Sequence, residues 1–230
     1  MTMKQQTIPI PVPIADKPIV TARVGKNADI FVDILRLYAP EGSVIADVTF
    51  GRGWFWGKVP GGKYTILASD KSYERIHNPQ EEMFPYCYRF VIDMERLPYR
   101  DESLDAIVID PPYGKTGGAN DGFGVVASYE LSTVKSMVEV VKGYRMAASE
   151  AGRCLKAGGI AIVKGQDAIE SGLPWWMHSR IRTEFEYYEF TMVDMFILVQ
   201  EHTPIMRHKY QYHARKNHSF FLIFKRDKRQ

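Results

Sequence analysis

At 230 residues, with 45% hydrophobic and 25% charged side chains, the chain suits one cored globular domain and excludes a disordered or fibrous protein. No apolar run approaches the roughly 20 residues of a membrane span, and the N-terminus lacks the apolar core of a signal peptide, so a soluble cytoplasmic protein is expected. The net charge of +3 hides an asymmetry: the last 30 residues hold 8 Lys or Arg against 2 Asp or Glu, and a basic segment on an acidic body points to a polyanionic partner.

Residues 1–24 are Pro-rich, with Ile8-Pro-Ile-Pro-Val-Pro13, and predict an extended arm across the surface of a domain spanning residues 25–230. Ile30, Phe31, Ile34, Leu35 and Tyr38 recur at helical spacing, which predicts a helix over Asn27–Tyr38, stopped by Pro40 and Gly42. Ser43–Asp47 reads as a short buried strand. Val48-Thr-Phe-Gly-Arg-Gly53 follows as a turn whose glycines permit a sharp bend and a close approach to a ligand. The segment from Trp54 to Gly62 has room for only a turn or two of helix. Trp54 and Trp56 either line a cleft or fill the core.

Tyr64–Asp70 is the next strand. Its terminal Asp70 lies 23 residues after Asp47, close to the spacing of a ribose-binding acid in nucleotide folds. Tyr86–Ile92 is a third strand, leading into Asp93-Met94. Asp105–Ile109 is a fourth, broken by Asp110-Pro111-Pro112-Tyr113-Gly114, because prolines cannot donate to a ladder. Asp47, Asp70, Asp93 and Asp110 therefore each end a strand. In a parallel sheet such ends share one edge, where open α/β sheets bind ligands.

The glycine-rich stretch 114–124 beside Tyr113 reads as a lid. Leu131–Leu155 predicts one helix or two abutting near Gly143, ended by Lys156-Ala-Gly-Gly159 as a glycine C-cap. Gly159–Lys164 is a fifth strand, and Pro174–Tyr188 a helix opened by its proline. Phe190–Val199 and Ser219–Lys225 close the chain as an antiparallel pair, with the basic segment 201–218 between them. Cys87 and Cys154, far apart and in no metal spacing, read as reduced buried thiols, and no metal is expected.

These residues resemble the class I S-adenosylmethionine-dependent methyltransferases, most closely those that methylate exocyclic amines of nucleobases. Asp110-Pro-Pro-Tyr113 carries the likeness, supported by its order after Asp47…Gly51-Arg-Gly53, Asp70 and Asp93. The resemblance spans about residues 25–225. It implies a three-layer α/β Rossmann-like fold with a seven-stranded, mostly parallel sheet and one antiparallel strand. It further implies S-adenosylmethionine as cofactor. Asp47, Thr49, Gly51 and Gly53 would hold its methionine part, Asp70 with Lys71 its ribose, Asp93 and Met94 its adenine. Lys26 and Asn27 would meet its carboxylate, and Asp110 would lie beside it. The short segment after Gly53 departs from the family, in which a long helix usually follows.

Asp110, Pro111, Pro112 and Tyr113 would act on the target base. The leading expectation is N6 of adenine in DNA. The alternatives are guanine N2 in RNA, for which Leu97–Gly114 is also suitable, and an inactive nucleic-acid-binding subunit of a heterodimer. Arg207, Lys209, Arg215 and Lys216 are candidates for phosphate contacts, and Tyr210 and Tyr212 for base stacking. With no separate recognition domain expected, a homodimer is one way to cover the target.

Overall fold

In the computed structural model, which describes residues 18–77, 84–112, 136–201 and 210–228, the elements alternate between strands and helical segments. In chain order they are β1 (Ala22–Val24), α1 (Asn27–Tyr38), β2 (Val44–Asp47), a 3-10 segment (Trp54–Lys58), β3 (Thr65–Asp70), α2 (Tyr73–Ile76), β4 (Cys87–Val91) and β5 (Leu104–Ile109). There follow α3 (Met137–Cys154), β6 (Leu155–Gly165), β7 (Ala168–Glu170), β8 (Leu173–Trp175), α4 (Met177–Tyr187), β9 (Phe190–Val199) and β10 (His218–Arg226).

The main sheet runs β1-β9-β10-β6-β5-β2-β3-β4. β10 is antiparallel to both of its neighbours, and the other pairs are parallel. Seven of these strands are the expected ones. The eighth, β1, comes from the expected surface arm: Ala22–Val24 pairs with Ile197–Val199. The arm's first 17 residues lie outside the described set.

Each face of the sheet is covered. α1 and the 3-10 segment pack Ile30, Phe31, Ile34, Phe55 and Trp56 against Ile45, Val108, Ile162 and Phe221. α3 and α4 pack Tyr144, Ala147, Ala151 and Phe185 against Ile107, Val163, Phe220 and Leu222 on the other. Adjacent strand residues thus bury on opposite faces, as the two-residue strand period requires. Burial also pushes the Cys154 thiol up to about 11, so it is an inert core group.

Two expectations are corrected. Gly158 and Gly159 do not cap α3, which ends when Leu155 turns extended and enters β6 directly. The glycines instead accommodate a shift in the β5–β6 register, between Leu104↔Leu155 and Ala106↔Ile160. A Cβ on Gly159 would meet the Lys156 carbonyl at 2.9 Å. Pro174 does not open a helix. It sits in a hairpin, opposite Ile169, closed by Ser171 and Gly172 at φ 52° and 78°. Of the two readings of Leu131–Leu155, the single helix holds over Met137–Cys154: α3 runs on through Gly143 from a Ser136–Glu139 capping box. The expected residues 131–135 lie outside the described set, as does the 114–124 stretch.

Candidate active site at the carboxyl edge of the sheet

β5, β2, β3 and β4 are adjacent and parallel, so their carboxyl ends form one edge. The pairing continues past the strands into the turns. Val48 N–H donates to the Val108 carbonyl at 3.1 Å, Phe50 N–H to Ser69 at 2.9 Å and Ile92 N–H to Asp70 at 3.1 Å. The Asp110 N–H donates to Thr49 Oγ1 at 2.6 Å. Asp47, Thr49, Asp70 and Asp110 are thereby held on a common frame, with Asp93 two residues beyond the end of β4.

The four acids differ in state. Asp47 is 3% exposed. It accepts the Trp56 indole N–H at 2.8 Å and the Thr49 N–H at 3.2 Å. Burial nonetheless raises its pKa to about 7, aided by the charges of Asp110 and Asp70. Trp56 itself is wholly buried, edge-on to Phe31 at 5.0 Å, so it belongs to the core and also to the site's electrostatics. Trp54, 63% exposed, does neither.

Asp70 is buried, accepts the Ser72 N–H at 2.9 Å and lies 3.6 Å from the Arg75 guanidinium. Asp93 is exposed and accepts the Glu95 N–H at 3.0 Å. Met94 is half-buried and packs toward α3, while Lys71 is exposed. Asp110 is half-buried, with its Oδ2 3.6 Å from Lys164 Nζ. Pro111 is buried and Pro112 half-buried behind it. Tyr113 lies outside the described residues.

The two glycines of the turn do different work. Gly51 has φ 54°, and a Cβ there would point into the space before Asp70, 3.9 Å from its Oδ2. No described atom outside its neighbours comes nearer than 3.9 Å to that position. Gly53 has φ 74°, but a Cβ there would strike Phe84 at 2.7 Å and Phe50 at 2.8 Å. Its requirement is aromatic packing.

Lys26 and Asn27 sit at the head of α1, just past the carboxyl end of β1 on this same edge. Gly25 and Lys26 line a shallow hollow with Gln200 and Glu201. Asn27 Oδ1 is buried and has no hydrogen-bond partner among the described residues.

Of the basic segment, Tyr210 and Tyr212 are 62% and 84% exposed and Arg215 is exposed. Lys216 is tied down, with its carbonyl accepting from Gln166 at 3.2 Å and its ammonium 4.6 Å above the Trp176 ring. Arg207 and Lys209 lie outside the described residues.

Two pairs at this edge escaped the sequence reading. Lys164 closes the apolar run Ile160–Val163 in β6, as Asp110 follows β5; the signal in the sequence is a charge ending a buried strand. The second is His178, whose Nδ1 lies 2.9 Å from Asp167 Oδ1, with Asp167 buried just past β6.

No protein-family model matches the chain, and neither does any curated protein. Solved structures share its fold. TrmN from Thermus thermophilus superposes with a TM-score of 0.58 at 14% identity, covering 86% of this chain and 48% of that one. The chain therefore spans about half the length of TrmN. An S-adenosylmethionine-dependent methyltransferase from Methanosarcina mazei matches at 0.55 and 15% identity, over 84% of this chain and 97% of that one. The [4+2]-cyclase SpnF matches at 0.56 and 12% identity, over 87% and 81%. One fold thus carries different reactions, and the reaction must be argued from the site.

The Asp47 carboxyl gives this site a pH signature. Between about pH 4 and pH 7 the folded protein keeps a proton that the unfolded chain has released, so stability falls as pH rises through that window, by up to about 4 kcal/mol. Urea unfolding at pH 5 and pH 8 checks this: Asp47→Asn should lose less stability on going to pH 8 than the wild type does. From these likenesses the fold is established: the chain has the Rossmann-like fold of the class I methyltransferases.

Proposed function

We propose that the protein transfers a methyl group from S-adenosylmethionine to the exocyclic amine of a nucleobase, with N6 of adenine in DNA as the leading target. One observation carries the reading. The Asp110-Pro111 turn is hydrogen-bonded to Thr49 of the glycine turn, whose Gly51 opens onto the buried Asp70 carboxylate. On this reading the acceptor for an amine, at the end of β5, and the acceptor for a ribose, at the end of β3, flank the glycine turn that follows β2.

The residues present fit the cofactor. Asp70 suits its ribose hydroxyls, with Lys71 beside it, and Gly51 admits a close backbone approach. Asp93 and Met94 suit its adenine. Asp47, about half ionised at neutral pH, and Thr49 suit its methionine part as hydrogen-bonding groups. The buried Asn27 Oδ1, without a partner among the described residues, and Lys26 suit the amino-acid end of the molecule. S-adenosylmethionine, when bound, supplies an electrophilic methyl group on a sulfonium.

An exocyclic amine is a poor nucleophile because its lone pair is delocalised into the ring. Acceptors aimed at its two N–H groups favour a tetrahedral nitrogen with a localised lone pair. The Asp110 carboxylate supplies one, and the Pro111 carbonyl the other, pre-aimed because proline fixes φ. In-line alignment with the methyl group contributes much of the rate. Tyr113 gives a ring for stacking, worth about 1–3 kcal/mol per base. A base in a duplex must first swing out of the stack. The proposed polyanion contacts are Arg207, Lys209, Arg215 and Lys216, with Tyr210 and Tyr212 as stacking rings. A homodimer, as one way to cover the target, is part of the proposal.

Asp110→Ala should keep cofactor affinity by calorimetry while transfer to nucleic acid falls by roughly 1,000-fold. Near wild-type transfer by this variant would remove Asp110 from the mechanism. Replacing Arg207, Lys209, Arg215 and Lys216 together by Ala should weaken nucleic-acid binding and flatten its log–log salt dependence by up to about 0.9 per lost contact. An unchanged slope would place the polyanion elsewhere.

A further inference from the structure

We propose that Lys164 is a positioning residue for the transfer, whose buried ammonium holds the Asp110 carboxylate in the plane from which it accepts the target amine. This rests on the methyltransferase reading above. The family resemblance assigns no role to this lysine, and the mechanism so far does not use it.

Lys164 is 7% exposed at the end of β6, the strand next to β5. An ammonium is strongly hydrated, and burying it is costly unless charge and hydrogen bonding replace the water. The surroundings replace it in a directional way. Two ring faces lie against the ammonium, Phe55 at 5.3 Å and Phe221 at 5.6 Å. Asp110 Oδ2 lies 3.6 Å away. Aromatic faces attract a cation but accept no strong hydrogen bond, whereas the carboxylate does both.

The backbone of Lys164 is clamped as well. It pairs with Phe221 of β10. Its carbonyl accepts the hydroxyl of the fully buried Tyr144 at 2.7 Å. Asp110 is in turn fixed through its own N–H on Thr49. A carboxylate whose main-chain N–H is tied to the Thr49 hydroxyl, and whose Oδ2 faces the ammonium of a lysine with a clamped backbone, has little freedom to rotate. Preorganisation of this kind acts on the reacting geometry, so it belongs to turnover and not to binding.

The test compares wild type, Lys164→Met, Asp110→Asn and the double variant in single-turnover transfer from methyl-labelled S-adenosylmethionine to nucleic acid. Calorimetry of cofactor binding runs alongside. Lys164→Met should lower the transfer rate about 100-fold. The nucleic-acid KM and the cofactor Kd should stay within about 3-fold of wild type. Added to Asp110→Asn, the same change should cost less than about 3-fold more, since there is no carboxylate left to orient. Lys164→Gln, which keeps donors without the charge, repeats the comparison if the Met variant folds poorly. An unchanged rate, or costs that multiply independently of Asp110, would overturn the proposal. So would a loss of cofactor affinity, which would make Lys164 a cofactor ligand. If the wild type transfers no methyl group at all, the methyltransferase reading fails first; an active wild type with an unaffected Lys164→Met overturns only the role of the lysine.

Discussion

The pairing of β2 with β5 is the constraint on which the rest of the molecule depends. Ile45, Ala46 and Asp47 stand opposite Ala106, Ile107 and Val108 in parallel register. The ladder then outlasts both strands, through Val48 to Val108 and through Asp110 to Thr49 Oγ1. Those two hydrogen bonds tie the glycine turn to the Asp-Pro-Pro turn. Pro111 and Pro112 have no N–H to extend the ladder, so the chain must leave the sheet there. The spacing between the two turns is therefore set by one backbone hydrogen bond and one from the Asp110 N–H to the Thr49 hydroxyl. Side chains outside this frame, such as Lys164 and Arg75, adjust charge without setting the distance.

Crowding carboxylates at one edge has an electrostatic cost, and the structure offsets it differently at each. Asp47 is buried deepest, and desolvation raises its pKa to about 7, so it carries only part of a charge at neutral pH, with the Trp56 indole as donor. Asp70 is ionically matched by Arg75 and capped by the Ser72 N–H. Asp110 faces Lys164. Asp93 stays in water. The Trp56 contact also explains how the turn is supported without a long following helix. The 3-10 segment brings the indole back under Asp47 and packs Phe55 and Trp56 on Phe31.

Elements with one strong period were legible in the chain. α1 and β9 run over the residues that their apolar spacing predicts, because helix and strand faces bury at fixed intervals. Glycine and proline were ambiguous, since the same chemistry serves different local structures. Gly158-Gly159 suits a C-cap as well as a strand irregularity, and Pro174 suits a first helical turn as well as a hairpin. Only the neighbours, the Lys156 and Asp105 carbonyls for Gly159 and Ile169 for Pro174, decide between them. The edge of acids was legible because each ends its own strand. The cation was not, because Lys164 meets Asp110 only through the sheet order that sets β6 beside β5. The same holds for Trp56 and Asp47, nine residues apart, whose contact depends on how tightly the 3-10 segment turns.

The central claim is that the Asp110 turn presents a nucleobase amine to a methyl donor. It is tested most directly by incubating the full chain with methyl-labelled S-adenosylmethionine and DNA or RNA, then digesting to nucleosides and identifying the labelled one by mass. Label in N6-methyladenine from DNA is the expected result. Label in N2-methylguanine from RNA would keep the mechanism and change the substrate. Label on a ring carbon, or on none of the nucleosides, would contradict the account.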